Sequence, residues 1–174
     1  MIRLLIATMA LLAAGFLTTI NPATAVASEL PQPKNKVVLV VTGQIASSNS
    51  QEGAAFDLDM LRALPQSSFV TKTIWTEGEN TFTGVPLRAL LDAVGATGKN
   101  LRAVALNDYA VDIPVADAVA DGPLVAYSID GRELPVRNRG PLWIVYPYDA
   151  KADYRSEVIY SRSIWQLKRI DVTD

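Results

Sequence analysis

The run VVLVVTGQI, Val37 to Ile45, limits what this chain can fold into more than any other stretch. Residues branched at Cβ crowd a helix and suit a pleated surface. Because the run is continuously apolar rather than alternating, it reads as a strand buried on both faces. Weaker versions of the same signal follow. AAFDL is a short strand, and SFVTKTIWT alternates without keeping perfect register. LRAVALNDYAVDIP reads as two strands meeting at Asn107-Asp108. PLVAYSI and LWIVYP are strands with an Asp130-Gly131 hairpin turn between them or close by. SIWQLKRIDV closes the chain, with Ile164, Gln166, Lys168 and Ile170 on one face and Trp165, Leu167 and Arg169 on the other.

Helical signals are few and short. In DMLRALP, Asp59 occupies the capping position and Pro65 stops the turn. TGVPLRALLDAVG is the clearest helix. Pro86 opens it at the first helical position, Leu87, Leu90, Leu91 and Val94 form one apolar stripe, and Gly95 ends it. VADAV after Pro114 is a brief helical turn. No strand–helix–strand alternation is sustained, so the class is α+β, mainly a mixed or antiparallel sheet with short helices.

Met1 to Ala27 has the build of a secretory signal peptide. Arg3 supplies the positive charge, Leu4 to Leu17 the apolar run, and Ala25-Val26-Ala27 a small-residue cleavage site. That apolar run falls short of the roughly 20 residues needed to span a bilayer, which favours cleavage over anchoring. The expectation is a periplasmic or secreted protein whose residues 28–174 form one domain, with no transmembrane segment after cleavage. A net charge of −2 does not suit nucleic acid or an anionic membrane as partner.

The chain contains no Cys and no His. Disulfides, thiolate nucleophiles, the usual zinc sites, and Ser-His or Cys-His dyads are therefore excluded. Any catalysis would rest on carboxylates, Lys, Tyr, Ser, Thr or a bound cofactor.

Four pieces stand in a telling order: TFTGVPLRALLDAVGA, LNDYAVDIP, LVAYSIDGRELPVRNRGPLWIVYP and SIWQLKRIDV. From about Phe56 to Val172 this order resembles the molybdopterin-binding domain of the sulfite oxidase family. The resemblance implies that family's fold and makes molybdopterin a possible cofactor. It also implies a molybdenum-binding cysteine shortly before the Gly-Val-Pro-Leu helix. Here the corresponding stretch, Phe69 to Pro86, has no sulfur; Thr71 or Thr73 falls near the position, and a hydroxyl is a poor substitute for a soft thiolate. Catalytic relatives often carry an arginine near the place of Trp143.

The resemblance marks Asn107, Asp108, Tyr109, Arg137, Arg139, Gly140 and Trp143 as candidate cofactor-binding residues. Each has a plainer reading. Arg137 and Arg139, two apart on a strand, share a face and either hold an anion such as a phosphate or guard a hairpin edge, with Arg132 nearby. Asn107-Asp108-Tyr109 either points into a cleft or merely turns the chain. Asp57 and Asp59 read better as an outward strand residue and a cap than as metal ligands. Trp75, Trp143 and Trp165 are able to stack on a flat ring system; of these Trp165 reads better as core, and Trp143 is the tryptophan to test for ligand stacking. Tyr146, Tyr148, Tyr154 and Tyr160, with Lys151, Arg155 and Arg162, line a pocket mouth or form an amphipathic surface loop. No catalytic residue and no metal ligand is expected. Two functions follow: a non-redox module binding a small anionic ligand or a periplasmic or membrane sensor protein, with no cofactor; or a molybdopterin-dependent oxidoreductase that holds its cofactor without a thiolate.

Overall fold

Strand signals dominate the sequence, and two five-stranded sheets carry most of the order. The protein is described by a computed structural model covering residues 30–174; the expected signal peptide, 1–27, lies outside the described residues. In chain order the elements are β1 (Val37–Gly43), β2 (Ala54–Asp57), α1 (Leu58–Ala63), β3 (Ser67–Lys72), β4 (Glu79–Pro86) and α2 (Leu87–Ala93). Next come β5 (Asn100–Ala105), β6 (Ala110–Pro114), β7 (Leu124–Ile129) and β8 (Arg132–Glu133). The last are β9 (Trp143–Val145), α3 (Glu157–Arg162) and β10 (Leu167–Thr173).

The first sheet runs β2-β1-β10-β5-β6 and is mixed: β1 and β10 are parallel, with Val41 beside Ile170, while its other pairs are antiparallel. The second runs β3-β4-β7-β8, with β9 also on β7, and is antiparallel throughout. The expected α+β class with a mixed and antiparallel sheet is what the chain adopts. Leu39, Val41 and Phe56 from the first sheet and Phe82, Val85 and Val125 from the second meet in one continuous apolar cluster.

Helix α2 shows why that cluster matters locally. Seven residues are too few for a helix to persist in water unaided. Leu87, Leu90, Leu91 and Val94 are all buried, and each such side chain contributes about 1.5–3 kcal/mol on leaving water. Gly95, at φ +61°, then turns the chain out.

Several local expectations are corrected. The β1 run is not buried on both faces: Leu39 and Val41 are fully buried, but Val38 and Val40 are half-buried. Val38 and Val40 instead line a groove of about 540 Å³. Pro86 ends β4 and caps α2 rather than opening its first turn. The face assignment for the last strand fails because Gln166 lies at φ +53° and the register shifts between Leu167 and Arg169. Leu167 and Ile170 therefore both reach the core despite opposite parity.

Asp57, not Asp59, caps α1. Its carboxylate accepts from the Met60 N–H at 2.8 Å, and also from the N–H groups of Lys34 at 2.8 Å and Asn35 at 2.9 Å. Far from facing outward, it is 1% exposed. One carboxylate thus ends β2, starts α1 and pins the lead-in segment. The Met60 N–H first, then those of Asn35 and Lys34, hold its pKa below the ordinary 3.8.

A carboxyl whose folded pKa is depressed stabilises the fold above the unfolded pKa and loses that contribution as pH falls through the folded one. Asp57→Ala is therefore expected to melt several degrees below the wild type at neutral pH. In thermal melts the gap should narrow as pH drops below 3.8; a gap independent of pH would count against the carboxylate's role.

Candidate functional site

Three segments distant in sequence converge on Trp75. After β3 the chain turns tightly, and the Thr73 hydroxyl accepts from the N–H groups of Trp75 (3.0 Å) and Thr76 (2.9 Å). The Trp75 ring then meets Trp143, Tyr160 and Trp165 edge to face, with centroids 5.8, 5.8 and 5.6 Å away. Arrangements of this kind add about 0.5–1.5 kcal/mol per pair beyond area burial. Arg139 ties the same segments: its Nη2 donates to the Trp75 carbonyl at 2.7 Å. Its guanidinium also lies 5.5 Å from the Trp143 ring centroid and 5.9 Å from that of Trp165.

Beside this cluster opens a cleft of about 300 Å³, at the small end of the range for ligand pockets. The rings of Trp75, Tyr109, Tyr160 and Trp165 line it with Ala105 and Ile164, and Asn107, Ser161 and Ser163 bring the polar groups. No charged side chain is part of the lining. One wall is the β5–β6 turn, held by Asp108 at φ +64° and by the Asn107 Oδ1, which accepts from the Tyr109 N–H at 3.2 Å.

The opposite wall is α3 and the residues after it. Asp117 accepts from the Tyr146 hydroxyl at 2.8 Å and from Arg162 Nη1 at 2.9 Å, fastening α3 to the turn after β6. The Tyr148 hydroxyl donates to Ser163 Oγ at 2.6 Å, which donates onward to the Ile159 carbonyl at 2.8 Å. Burial raises the pKa of both tyrosines; for Tyr146 the bond to Asp117 adds to that, so both phenols stay protonated.

The sequence-marked residues divide. Asn107 and Tyr109 line the cleft. Asp108, between them, faces outward and pairs with Lys168 at 2.6 Å, which lowers its pKa. Arg137 and Arg139 do not share a strand face: Val136–Asn138 is a 3-10 turn and Arg139 adopts the left-handed conformation, so Arg137 is exposed while Arg139 folds onto the tryptophans. Arg132, at the β8 edge, is exposed and apart from both. Gly140 is buried where backbone meets backbone; a Cβ there would lie 1.9 Å from the Leu134 carbonyl oxygen.

The tryptophan expectations are reversed. Trp143 is fully buried with its Nε1 donating to the Ser163 carbonyl, while Trp165 is 37% exposed in the cleft lining. Trp165 bridges to Trp143 just before the bend at Gln166, and there its indole faces water while that of Trp143 faces the core. Nor is the tyrosine-rich segment a surface loop, since Tyr146 and Tyr148 are buried at its base. Sequence reasoning did not mark Ser163 as a cleft residue, and marked Trp75 only as one of three tryptophans able to stack on a flat ring system. The TIW triplet before a Gly-containing loop was the available signal, but it says nothing of where the ring goes.

The cleft can be tested against the metal-bearing cofactor of the family that the sequence resembles. Thr71 is buried, its hydroxyl donating to Asp149 at 3.2 Å, and the Thr73 hydroxyl is spent in its own turn. Among the described residues no group of three or more His, Cys, Asp or Glu is placed to hold a metal. The cleft also lacks the Lys or Arg lining that a phosphate-bearing pterin calls for. The donors present at this cleft do not fit the metal-bearing cofactor.

The described residues thus form a two-sheet α+β scaffold with an uncharged aromatic cleft. By sequence, the family described as "Oxidoreductase molybdopterin binding domain" matches residues 29–153, and the chain belongs to that family. A protein of Azospira oryzae named "Putative protein-methionine-sulfoxide reductase subunit YedZ1" is 35% identical over 98 residues, 53% of this chain. That match spans only 37% of the relative's length.

Asp117 has the clearest structural role at the site. Asp117→Ala leaves Arg162 and the Tyr146 hydroxyl without their shared acceptor. Removing one partner of a fully buried pair costs 3–5 kcal/mol, and with both ends still partly exposed the expected loss is about 2 kcal/mol. Urea denaturation checks it; a loss within experimental error would show that α3 is held by packing alone.

Proposed function

We propose that this chain is an exported, non-redox member of its family whose aromatic cleft receives a small uncharged molecule or one side chain of a protein partner. The observation that carries this is the cleft's composition: four aromatic rings, neutral polar groups and no charge, in a chain without thiol or imidazole. Rings that bury an apolar ligand body while Asn and Ser fix its orientation are what recognition without chemistry requires. The absence of any nucleophile–base pair at the cleft supports the same reading. Export rests on the leader-like first 27 residues.

The name of the Azospira relative makes a methionine or methionine-sulfoxide side chain one ligand to test. A polarisable thioether packs well on ring edges. The word subunit in that relative's name also makes a second protein subunit a candidate partner.

Protein purified from a host that makes the molybdenum cofactor is expected to carry neither stoichiometric molybdenum nor pterin fluorescence. Its N-terminus, from the periplasmic fraction, is expected at Ser28. Stoichiometric molybdenum would instead establish the thiolate-free oxidoreductase. The cleft itself is checked by Trp165→Ala, which is expected to weaken binding of an N-acetylated methionine-sulfoxide amide, or of whichever neutral ligand a titration selects, about tenfold. Unchanged affinity would remove the cleft from the binding site.

A further inference from the structure

Clefts walled by tryptophan and tyrosine ordinarily attract organic cations, because ring faces are electron-rich; quaternary ammonium groups are the familiar guests. Here that attraction has an internal competitor. The Arg139 guanidinium lies 5.5 Å from the Trp143 ring centroid and 5.9 Å from that of Trp165, and Trp165 is a wall of the cleft. Its hydrogen bonds go to two neutral oxygens, the Trp75 carbonyl and the Asn138 Oδ1 at 3.0 Å. None of the ion pairs among the described residues includes it, whereas the neighbouring Arg162 and Lys168 are matched by Asp117 and Asp108. Arg139 is also half-buried, so water screens its charge only in part.

We infer that Arg139 determines the charge specificity of the aromatic cleft, making it select neutral ligands over cations of the same shape. This rests on the proposal that the cleft binds ligands at all. The guanidinium uses part of the ring attraction and adds a positive field to a pocket whose own lining contributes no charge to cancel it. Arg139 itself touches no ligand. It acts through the indole that it stacks on, and through the Trp75 carbonyl that it anchors.

An isosteric pair of probes isolates the effect: choline and 3,3-dimethylbutan-1-ol share a shape and differ by one positive charge. Indole N–H shifts of the whole protein, followed by NMR at millimolar probe concentrations, are expected to show the alcohol binding about fivefold tighter than choline. The preference should shrink in high salt, as screening requires. Arg139→Lys should keep the preference, and Arg139→Gln should abolish or reverse it. Choline binding as tightly as the alcohol in the wild type would overturn the inference while leaving the cleft a binding site. So would a preference unchanged in Arg139→Gln. Failure of both probes, of the sulfoxide amide and of every neutral ligand titrated would overturn the cleft reading and the inference with it. Because the wild-type comparison needs no variant, the test holds even where Arg139→Gln fails to fold.

Discussion

The contact on which the site depends is Arg139 laid across Trp143 and Trp165 with a hydrogen bond to the Trp75 carbonyl. It joins the loop after β3, the start of β9 and the approach to β10, three parts of the chain that no local turn connects. The left-handed backbone at Arg139 lets it lie there, and its carbonyl accepts from the Gln166 N–H at 2.9 Å. A residue that looked like half of an anion site is thus the tie between the aromatic walls. Its positive charge is spent on rings and carbonyl oxygen.

A second constraint shapes the far wall. Asp117 gathers the Tyr146 hydroxyl and Arg162, and Ser163 gathers Tyr148 and the Trp143 indole N–H. The Ser163 network is buried and the Asp117 network half-buried, so α3, only six residues long, is held in place by hydrogen bonds as well as by Ile159. Buried polar groups of this kind stabilise when each donor finds an acceptor, and they favour one arrangement over near alternatives. The cleft between the two walls is correspondingly preformed. Preformed walls lower the entropic cost of the binding proposed for the cleft.

Membership of a molybdopterin-binding family and the donor set of this chain point in different directions. The scaffold is kept, and the residues that would meet the metal are absent or turned inward: Thr71 is bonded to Asp149, and Thr73 to its own turn. Fold and function separate in this way because a two-sheet core is specified by many apolar positions, while a metal site is specified by a few donors. Those few can be lost without disturbing Leu39, Phe82 or Leu90.

Much of the fold could be read from residue order, because each strand and helix is coded within a few neighbouring positions. The β-branched run of β1, the Asn107-Asp108 and Asp130-Gly131 turns, and the Leu87-Leu90-Leu91-Val94 stripe all sit where local chemistry puts them. The missing thiol and imidazole were equally plain. Local pattern could not tell which indole would face solvent, which aspartate would cap α1, or where Arg139 would turn. Each of those depends on a partner far along the chain: Lys34 and Asn35 for Asp57, Trp75 for Arg139, the bridge to Trp143 for Trp165. Long-range packing selects among several side-chain placements that short-range propensity leaves nearly equal in energy, and the site is built from those choices.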